Sequence, residues 1–503
     1  MSVTTLQTAP SDVSKFGKKK ALLEEAFTVQ TKSHVTSLPI EILVQIFNTV
    51  PFEQCHADMI AISQVCCRWR AIALACPTFW TYLTPLVLGY EWTREILVRS
   101  KAAPLTLDIL EVVHLAIRHL SHTRTLIVCG APQSILDYAS GPAPLLESIV
   151  LINRNNTSAY EPAISYHTLV KFETPALRQL VLDNVMFDGA NTPIKNFTYL
   201  DMRSFHNSRL IHALHESSSL QTLGLDLSLA GFVATACPVI SLPSLSCLKL
   251  WGLASDCSEL LQNIRAPHVK ALALVCTSQI VTGTDLPILF TAVSGLHAQA
   301  VPEIKARLRQ HPHRLFISMT RGPRPDYHFP SLIVRLAETA SSQDNSAFHE
   351  SGIHHCWNQN WHLDFRYMAT VIRERIWPSE AESICKVLCL GGVIDATVQE
   401  ISGQGESPFC RQLVGRMPAL RSLSVLGHST LSVIIKSVQP RGNVQMKELS
   451  ELCFEGLDFK QKSSARTRYQ GDVTELMKIF ETRSRMGLTL PSLRLVGCTS
   501  SCG

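Results

Sequence analysis

The sequence predicts an α/β protein in two parts. A small helical bundle stands near the N-terminus, and a curved solenoid of short strands with helical or irregular returns follows it. Three observations carry this. Residues 37–83 hold two helical apolar patterns bounded by prolines. Beyond them, runs of the form L-x-x-L-x-L recur at spacings of 20 to 25 residues. Across all 503 residues, hydrophobic side chains make up 46% and charged ones 17%, a folded composition with enough material for a large core.

The bundle comes first. Pro39 sits where a first helical turn begins, and its missing N–H costs nothing there. Leu38, Ile42, Ile46 and Val50 fall four apart, with Leu43 and Phe47 as a second row beside them. This is a wide apolar stripe on one helix, which Pro51 stops. After a polar link, Glu53 to Asp58, a second helical run from Met59 holds Ile60, Val65, Trp69, Ile72 and Ala73 and ends at Pro77. Phe79, Trp80 and Leu83 then pack back. A core this short is marginal below about 70 residues. Large apolar groups at this density therefore point either to a partner surface or to a helical cap on the domain that follows.

Leu38-Pro39-x-Glu41-Ile42-Leu43, then Ile46-Phe47, Val65-Cys66-x-x-Trp69-Arg70 and Pro77-x-x-Trp80, resembles an F-box, in the version common in mushroom-forming (basidiomycete) fungi. Cys67 stands where an arginine is usual and Phe79 where a leucine is usual. The resemblance covers about a tenth of the chain. It implies a helical bundle that docks on the Skp adaptor and, through it, on a cullin scaffold. On that implication Leu38, Pro39, Glu41, Ile42, Leu43, Ile46 and Phe47 bind Skp, and Val65, Cys66 and Trp69 support or join the surface.

Past Leu83 the repeats begin. Leu177-Arg-Gln-Leu180-Val-Leu182, Leu220-Gln-Thr-Leu223-Gly-Leu225, Leu245-Ser-Cys-Leu248-Lys-Leu250 and Val269-Lys-Ala-Leu272-Ala-Leu274 are the clearest. Thr198-Tyr-Leu200-Asp-Met202 fills the one long gap. Weaker copies lie at 123–128 and 146–151, and the theme resumes at 420–425, 449–454 and 490–495. A period of 20 to 29 residues with this pattern is that of leucine-rich repeats. No unit buries its leucines alone, so neighbours stack into a horseshoe-like solenoid. The asparagine expected after each strand is often missing: Asn184 comes two residues after Leu182, but Leu250 is followed by Trp251 and Leu274 by Val275. Such loose repeats resemble those behind many fungal F-boxes; a set of unrelated αβ units with leucine-rich strands is the other reading.

Residues 283–380 break the rhythm. They hold a helical stretch (Leu286 to Gln310), a Pro-rich passage from Arg321, a polar loop from Ala340 to Glu350 and the cluster His354-His355-Cys356-Trp357. Distorted repeats are expected near Arg314 to Met319 and His362 to Arg366. The polar loop is either a contact site or a variable insertion. The domain plan is thus an N-terminal segment (1–35), an F-box (36–84) and a repeat body (85–503) with its insertion.

Several function classes are excluded at this level. A net charge of +5 is too mild for a nucleic-acid binder. No window approaches the roughly 18 to 20 apolar residues of a membrane span, and the N-terminus lacks a secretory apolar core. Lys18 to Lys20 are a solvated charge run rather than a nuclear signal. The chain is expected in the cytosol or nucleus, where most of its 16 cysteines serve as small buried apolar residues. His354, His355, Cys356 and His362, and Cys498 with Cys502, lack zinc-site spacing. No phosphate loop and no nucleophile elbow occur, and Gly403-Gln-Gly405 lacks a third glycine. No catalytic residue, metal or cofactor is therefore expected. The expected role is a substrate-recognition adaptor of a ubiquitin ligase that holds an unknown protein target on its repeats, or else a repeat scaffold that binds a protein without degrading it.

Overall fold

A computed structural model describes residues 38–49, 56–109, 119–130, 141–153, 164–165, 172–186, 196–203, 214–215, 217–227, 239–278, 285–302, 313–320, 331–338, 361–369, 390, 393–400, 416–426, 447–455 and 466–496. The N-terminal segment 1–35, Val50, Pro51, the Pro-rich passage, the polar loop, the His354 to Trp357 cluster, Gly403 to Gly405, Cys498 and Cys502 lie outside these. The chain divides into two compact units, Met1–Asp108 and Ile109–Gly503.

The first unit is helical. It runs α1 (Ile40–Thr49), α2 (His56–Gln64), α3 (Cys67–Ala75), a 3-10 turn (Pro77–Trp80), β1 (Tyr82–Leu83), α4 (Pro85–Ser100) and β2 (Leu105–Ile109). Helix α1 starts directly after Pro39, whose carbonyl accepts the first helical bond from the Leu43 N–H at 3.2 Å. The single helical run expected from Met59 to Pro77 is instead two helices. The physical reason is Cys66, which is extended (φ −158°, ψ 168°) and caps α3 with its Sγ, accepting from the Trp69 N–H at 3.4 Å. Arg70 Nε takes the Ser63 carbonyl at the end of α2, at 3.1 Å. The compact unit continues beyond residue 84. Helix α4 buries Ile96 and Leu97, and its Arg99 guanidinium lies 4.5 Å from the centroid of the Trp80 ring. A short parallel pair, Tyr82↔Thr106 and Leu83↔Leu107, completes it.

The second unit is built on one long sheet. Its strands are β3 (Thr123–Gly130), β4 (Ser148–Asn153), β5 (Gln179–Asp183), β6 (Tyr199–Arg203), β7 (Thr222–Asp226), β8 (Cys247–Leu253), β9 (Ala271–Ser278), β10 (His313–Thr320), β11 (Ser331–Glu338), β12 (Trp361–Ala369), β13 (Val393–Glu400), β14 (Ser422–Leu426), β15 (Glu451–Glu455) and β16 (Ser492–Val496). From β3 to β9 each strand pairs in parallel with the next in sequence. Every L-x-x-L-x-L run in the sequence carries one of these strands. The register aligns the middle apolar residue of each run into a transverse row: Leu126, Ile149, Leu180, Leu200, Leu223, Leu248 and Leu272. All of these are buried, as are their partners two residues on, from Val128 to Leu274. Each such leucine taken out of water contributes about 1.5–3 kcal/mol.

The strand starts repeat a hydrogen-bond device. One carbonyl of the preceding unit accepts from two successive N–H groups: Glu147 from Arg178 and Gln179, Arg178 from Thr198 and Tyr199, Gln221 from Ser246 and Cys247. Ser246 Oγ donates to the same Gln221 carbonyl at 3.0 Å, which explains why Ser or Thr precedes several of these strands. Asn184 closes β5 in the left-handed region (φ 55°), which asparagine tolerates. Its N–H reaches the Arg203 carbonyl at 3.0 Å and its Nδ2 the Asn153 carbonyl at 3.3 Å. At the place that Asn184 holds, two residues past the last leucine of its run, the run on β8 has Gly252, at φ 144°, which passes Leu227 so closely that a Cβ would sit 3.0 Å from it.

The insertion changes strand order and direction. The sheet runs β9-β12-β11-β10-β13, and β11 alone is antiparallel to its neighbours. The segments near Arg314 and His362, expected as distorted repeats, form strands β10 and β12. Strands β2, β11 and β13 carry no L-x-x-L-x-L run and are not foreseen from the pattern. Helix α5 (Ala254–Asn263) buries Cys257, Leu260 and Leu261 and packs on β8, β9 and helix α6 (Asp285–Gln299). The helical stretch expected to reach Gln310 is helical through Gln299; residues 303–310 lie outside the described set. Parallel order returns from β13 through β16.

Truncating the buried row tests its weight. Leu250→Ala is expected to cost about 2–5 kcal/mol in urea unfolding, whereas Val98→Ala, at an exposed position, should stay within about 0.5 kcal/mol. A second expectation concerns pH. His122 has a buried Nε2 without a hydrogen-bond partner, and burial holds its pKa below the ordinary 6.5. The folded form thus binds the proton less readily than the unfolded form. Stability is full above 6.5 and falls as pH drops below it. His122→Gln should flatten the thermal-midpoint profile between about pH 7 and pH 5.

Candidate functional site

Helix α1 presents two apolar rows that diverge. Leu43 and Phe47 turn inward and are fully buried. Ile42 and Ile46 turn outward, 40% and 41% exposed, with Ile40 beside them and Val65, at the break before α3, 61% exposed. The sequence assigns both rows to one docking surface. The fold separates them, because Ile42 and Leu43, like Ile46 and Phe47, are one residue apart and so turned by about 100° around the helix, far enough for one row to be core and the other surface. Leu43 and Phe47, which the sequence reading places among the adaptor contacts, are buried in the core of this unit. Pro39, Glu41, Ile42, Ile46, Val65 and Cys66 are exposed, and Leu38 and Trp69 are half-buried.

The outward row is held on a rigid base. The Phe47 ring meets Trp69 edge-on at 5.1 Å and Phe79 at 5.5 Å, and Phe79 meets Trp80 at 5.1 Å. Trp80 is fully buried and donates its Nε1–H to the Ala73 carbonyl at 2.7 Å. Arg68 reaches from the first turn of α3 to the Leu38 carbonyl, tying the break that carries Val65 and Cys66 to the start of α1. Glu41 lies in the first turn of α1, where the helix dipole favours negative charge. The result is an aliphatic surface with one acidic edge. It can dock a complementary apolar surface.

A second cluster was not foreseen. On the side of the sheet opposite the leucine rows, β6 carries Tyr199, Asp201 and Arg203, and β8 carries Lys249 and Trp251. Asp201 is buried, with Arg203 Nε and Nη2 each 3.4 Å from its carboxylate oxygens and the Tyr199 hydroxyl at 3.5 Å. The Arg203 guanidinium lies 5.2 Å from the Trp251 ring centroid and the Lys249 ammonium 5.6 Å from that of Tyr199. Burial first, and Asp201 second, push the Tyr199 phenol up to about 12. Gly224, between Asp201 and Lys249 in register, leaves the space that the carboxylate occupies, since a Cβ there would stand 2.9 Å from it. The legible signal was the placement of large and charged residues at outward positions where β4 and β5 carry Val150 and Val181.

The cysteines divide. Cys129, Cys257, Cys276 and Cys453 are buried, Cys76 and Cys247 half-buried, and Cys66 and Cys67 exposed. A hydrogen bond to Cys276, with burial behind it, holds the Cys257 thiol well above its ordinary range, so it stays a neutral packing group. Among the described residues no group of three or more His, Cys, Asp or Glu is placed to hold a metal. Among them, too, no helix is long and apolar enough to cross a membrane.

No curated protein matches the sequence. Residues 35–85 match a family model described as F-box-like. That span covers α1 to β1, the outward row of α1 and the aromatic base beneath it. The chain therefore carries an F-box-like domain at its first compact unit, joined in sequence to a second unit built on a predominantly parallel sheet.

Proposed function

We propose that this chain is the substrate-recognition adaptor of an SCF-type ubiquitin ligase. The F-box-like domain binds the Skp adaptor, and through it a cullin scaffold, by way of Leu38, Pro39, Glu41, Ile42, Ile46, Val65 and Cys66. Trp69 backs that surface from the half-buried layer. The single observation that carries the reading is the F-box-like match over residues 35–85, together with the exposed aliphatic row of α1 inside it. F-box domains generally dock on Skp through such a surface. The helix is too well braced by Phe47, Trp69 and Phe79 for that row to be a frayed core.

The second unit is, on this reading, an irregular leucine-rich-repeat horseshoe that receives a protein target. The support is one strand per repeat, parallel pairing in sequence order and stacked leucine rows in register. The loose repeats are of the kind found behind F-boxes in mushroom-forming fungi. The chain itself performs no chemistry. It raises the effective concentration of a target lysine near a charged partner enzyme, and it works in the cytosol or nucleus.

The test is co-purification of the full chain with the Skp adaptor. Two double variants, Leu38→Ala with Pro39→Ala and Ile42→Lys with Ile46→Lys, should each weaken adaptor binding by more than about tenfold, ~1.4 kcal/mol. Circular dichroism should show the sheet unit unchanged. Adaptor binding retained by both variants sinks the docking assignment. Adaptor binding without any stabilised target under proteasome inhibition turns the chain into a non-degradative scaffold.

A further inference from the structure

Cys66 and Cys67 are the exposed thiols among the described cysteines, and they are neighbours in sequence. They sit at the break between α2 and α3, and hydrogen bonds on all sides fix that break. Cys66 Sγ accepts the Trp69 N–H at 3.4 Å, and the Cys66 carbonyl accepts the Arg70 N–H at 2.9 Å. Arg70 Nε donates back to the Ser63 carbonyl of α2 at 3.1 Å. Arg68, one residue past the pair, donates to the Leu38 carbonyl at the start of α1. Val65, one residue before the pair, is part of the exposed aliphatic surface. The backbone of residues 66 and 67 thereby sets how Val65 stands against the start of α1.

This arrangement and a bond between the two sulfurs exclude each other. Cys66 is extended (φ −158°, ψ 168°), and Cys67 opens the helix. Successive side chains of extended backbone point to opposite sides. Adjacent Cα atoms across a trans peptide stand about 3.8 Å apart, short of the roughly 4.4–6.8 Å that a disulfide ordinarily spans. Joining the sulfurs therefore requires the 66–67 backbone to leave its present form. The Sγ that caps the Trp69 N–H then turns toward its neighbour instead.

We propose that Cys66 and Cys67 are a thiol–disulfide switch, oxidised by a small disulfide such as glutathione disulfide. One thiolate attacks the small disulfide, a protein–glutathione S–S bond forms and a glutathione thiolate leaves. The neighbouring thiolate attacks that mixed disulfide, the Cys66–Cys67 bond forms and the second glutathione leaves. The two thiol protons end on the two glutathione thiolates, and the pair gives two electrons to the small disulfide. The oxidised chain loses the cap at Trp69, moves Val65 and slackens the tie from Arg68 to Leu38. A bond outside ordinary disulfide geometry is readily reduced, so the change reverses. Its effect on the adaptor rests on the docking role proposed above. The bond itself and the opening of α3 do not.

The test exposes the full chain to glutathione disulfide, which is removed before adaptor is added. Peptide mass spectrometry after alkylation should find Cys66 joined to Cys67, with Cys55 of the same stretch alkylated. The Trp69 amide should lose its protection from hydrogen exchange. Adaptor affinity should fall by more than about tenfold and return with dithiothreitol. Cys67→Ser keeps the Cys66 cap and every other cysteine, and it should bind adaptor equally before and after treatment. If the reduced chain fails to bind adaptor, the docking role falls, while mass and exchange still read the switch. A pair that stays reduced or stops at the mixed disulfide overturns the proposal, as does a joined pair with Trp69 still protected. So does an oxidised chain that holds adaptor as tightly as the reduced one, or a Cys67→Ser chain that also loses it on treatment.

Discussion

The constraint on which the sheet unit depends is that no strand in it can bury its own leucines. Strand β7 is five residues long, and its Leu223 and Leu225 are fully buried only because Leu200 and Met202 lie on one side and Leu248 and Leu250 on the other. A unit of this kind contributes to the core only as one layer of a stack. That explains the rigid register from β3 to β9 and the repeated carbonyl that accepts from two successive N–H groups. Those bonds fix where each strand starts, and a slip by one residue would turn every leucine to the wrong side. It also explains why Leu490, Leu493 and Leu495 stay half in water, since among the described residues β16 has a paired strand on one side only.

In the helical unit the corresponding constraint is a single helix with two jobs. Helix α1 spends Leu43 and Phe47 on the core and keeps Ile42 and Ile46 at the surface. Phe47 is the junction, since its ring contacts Trp69 and Phe79 while its backbone carries the outward row. A docking surface made of aliphatic side chains needs such a base, because flexible exposed isoleucines would pay ordering entropy on binding. The buried row and the exposed row use the same helix and different faces of it.

Much of this was legible in the sequence. The two-part plan, the strand positions at each leucine run and the helix between Pro39 and Pro51 follow from periodicity alone, because period is what burial imposes on a chain. The division of α1 into core and surface was not legible: Leu43 and Ile42 are both large aliphatics, and only the position of α3 decides which is covered. The helix break at Cys66 was missed because cysteine is not a usual cap, although its sulfur accepts the Trp69 N–H as a hydroxyl would. Strand β11 was missed because it pairs antiparallel within the insertion and so escapes the repeat pattern. The cluster that Tyr199, Asp201 and Arg203 form with Lys249 and Trp251 was hidden for a different reason. Its members are spread over β6 and β8, separated by Gly224, and only the register brings Asp201, Gly224 and Lys249 into one line.

The sequence by itself determined the local grammar: which segments are helices and strands, which residues alternate inward, and which short stretch resembles an F-box. These are properties of neighbours within a few residues, and sterics and burial write them directly into residue type. The tertiary structure decided which of two equivalent apolar rows faces solvent, how the insertion reorders β10 to β12, and that Leu493 and Leu495 stay half-exposed. Each of these turns on what lies across a gap from a side chain, and that is set by chain segments tens to hundreds of residues away.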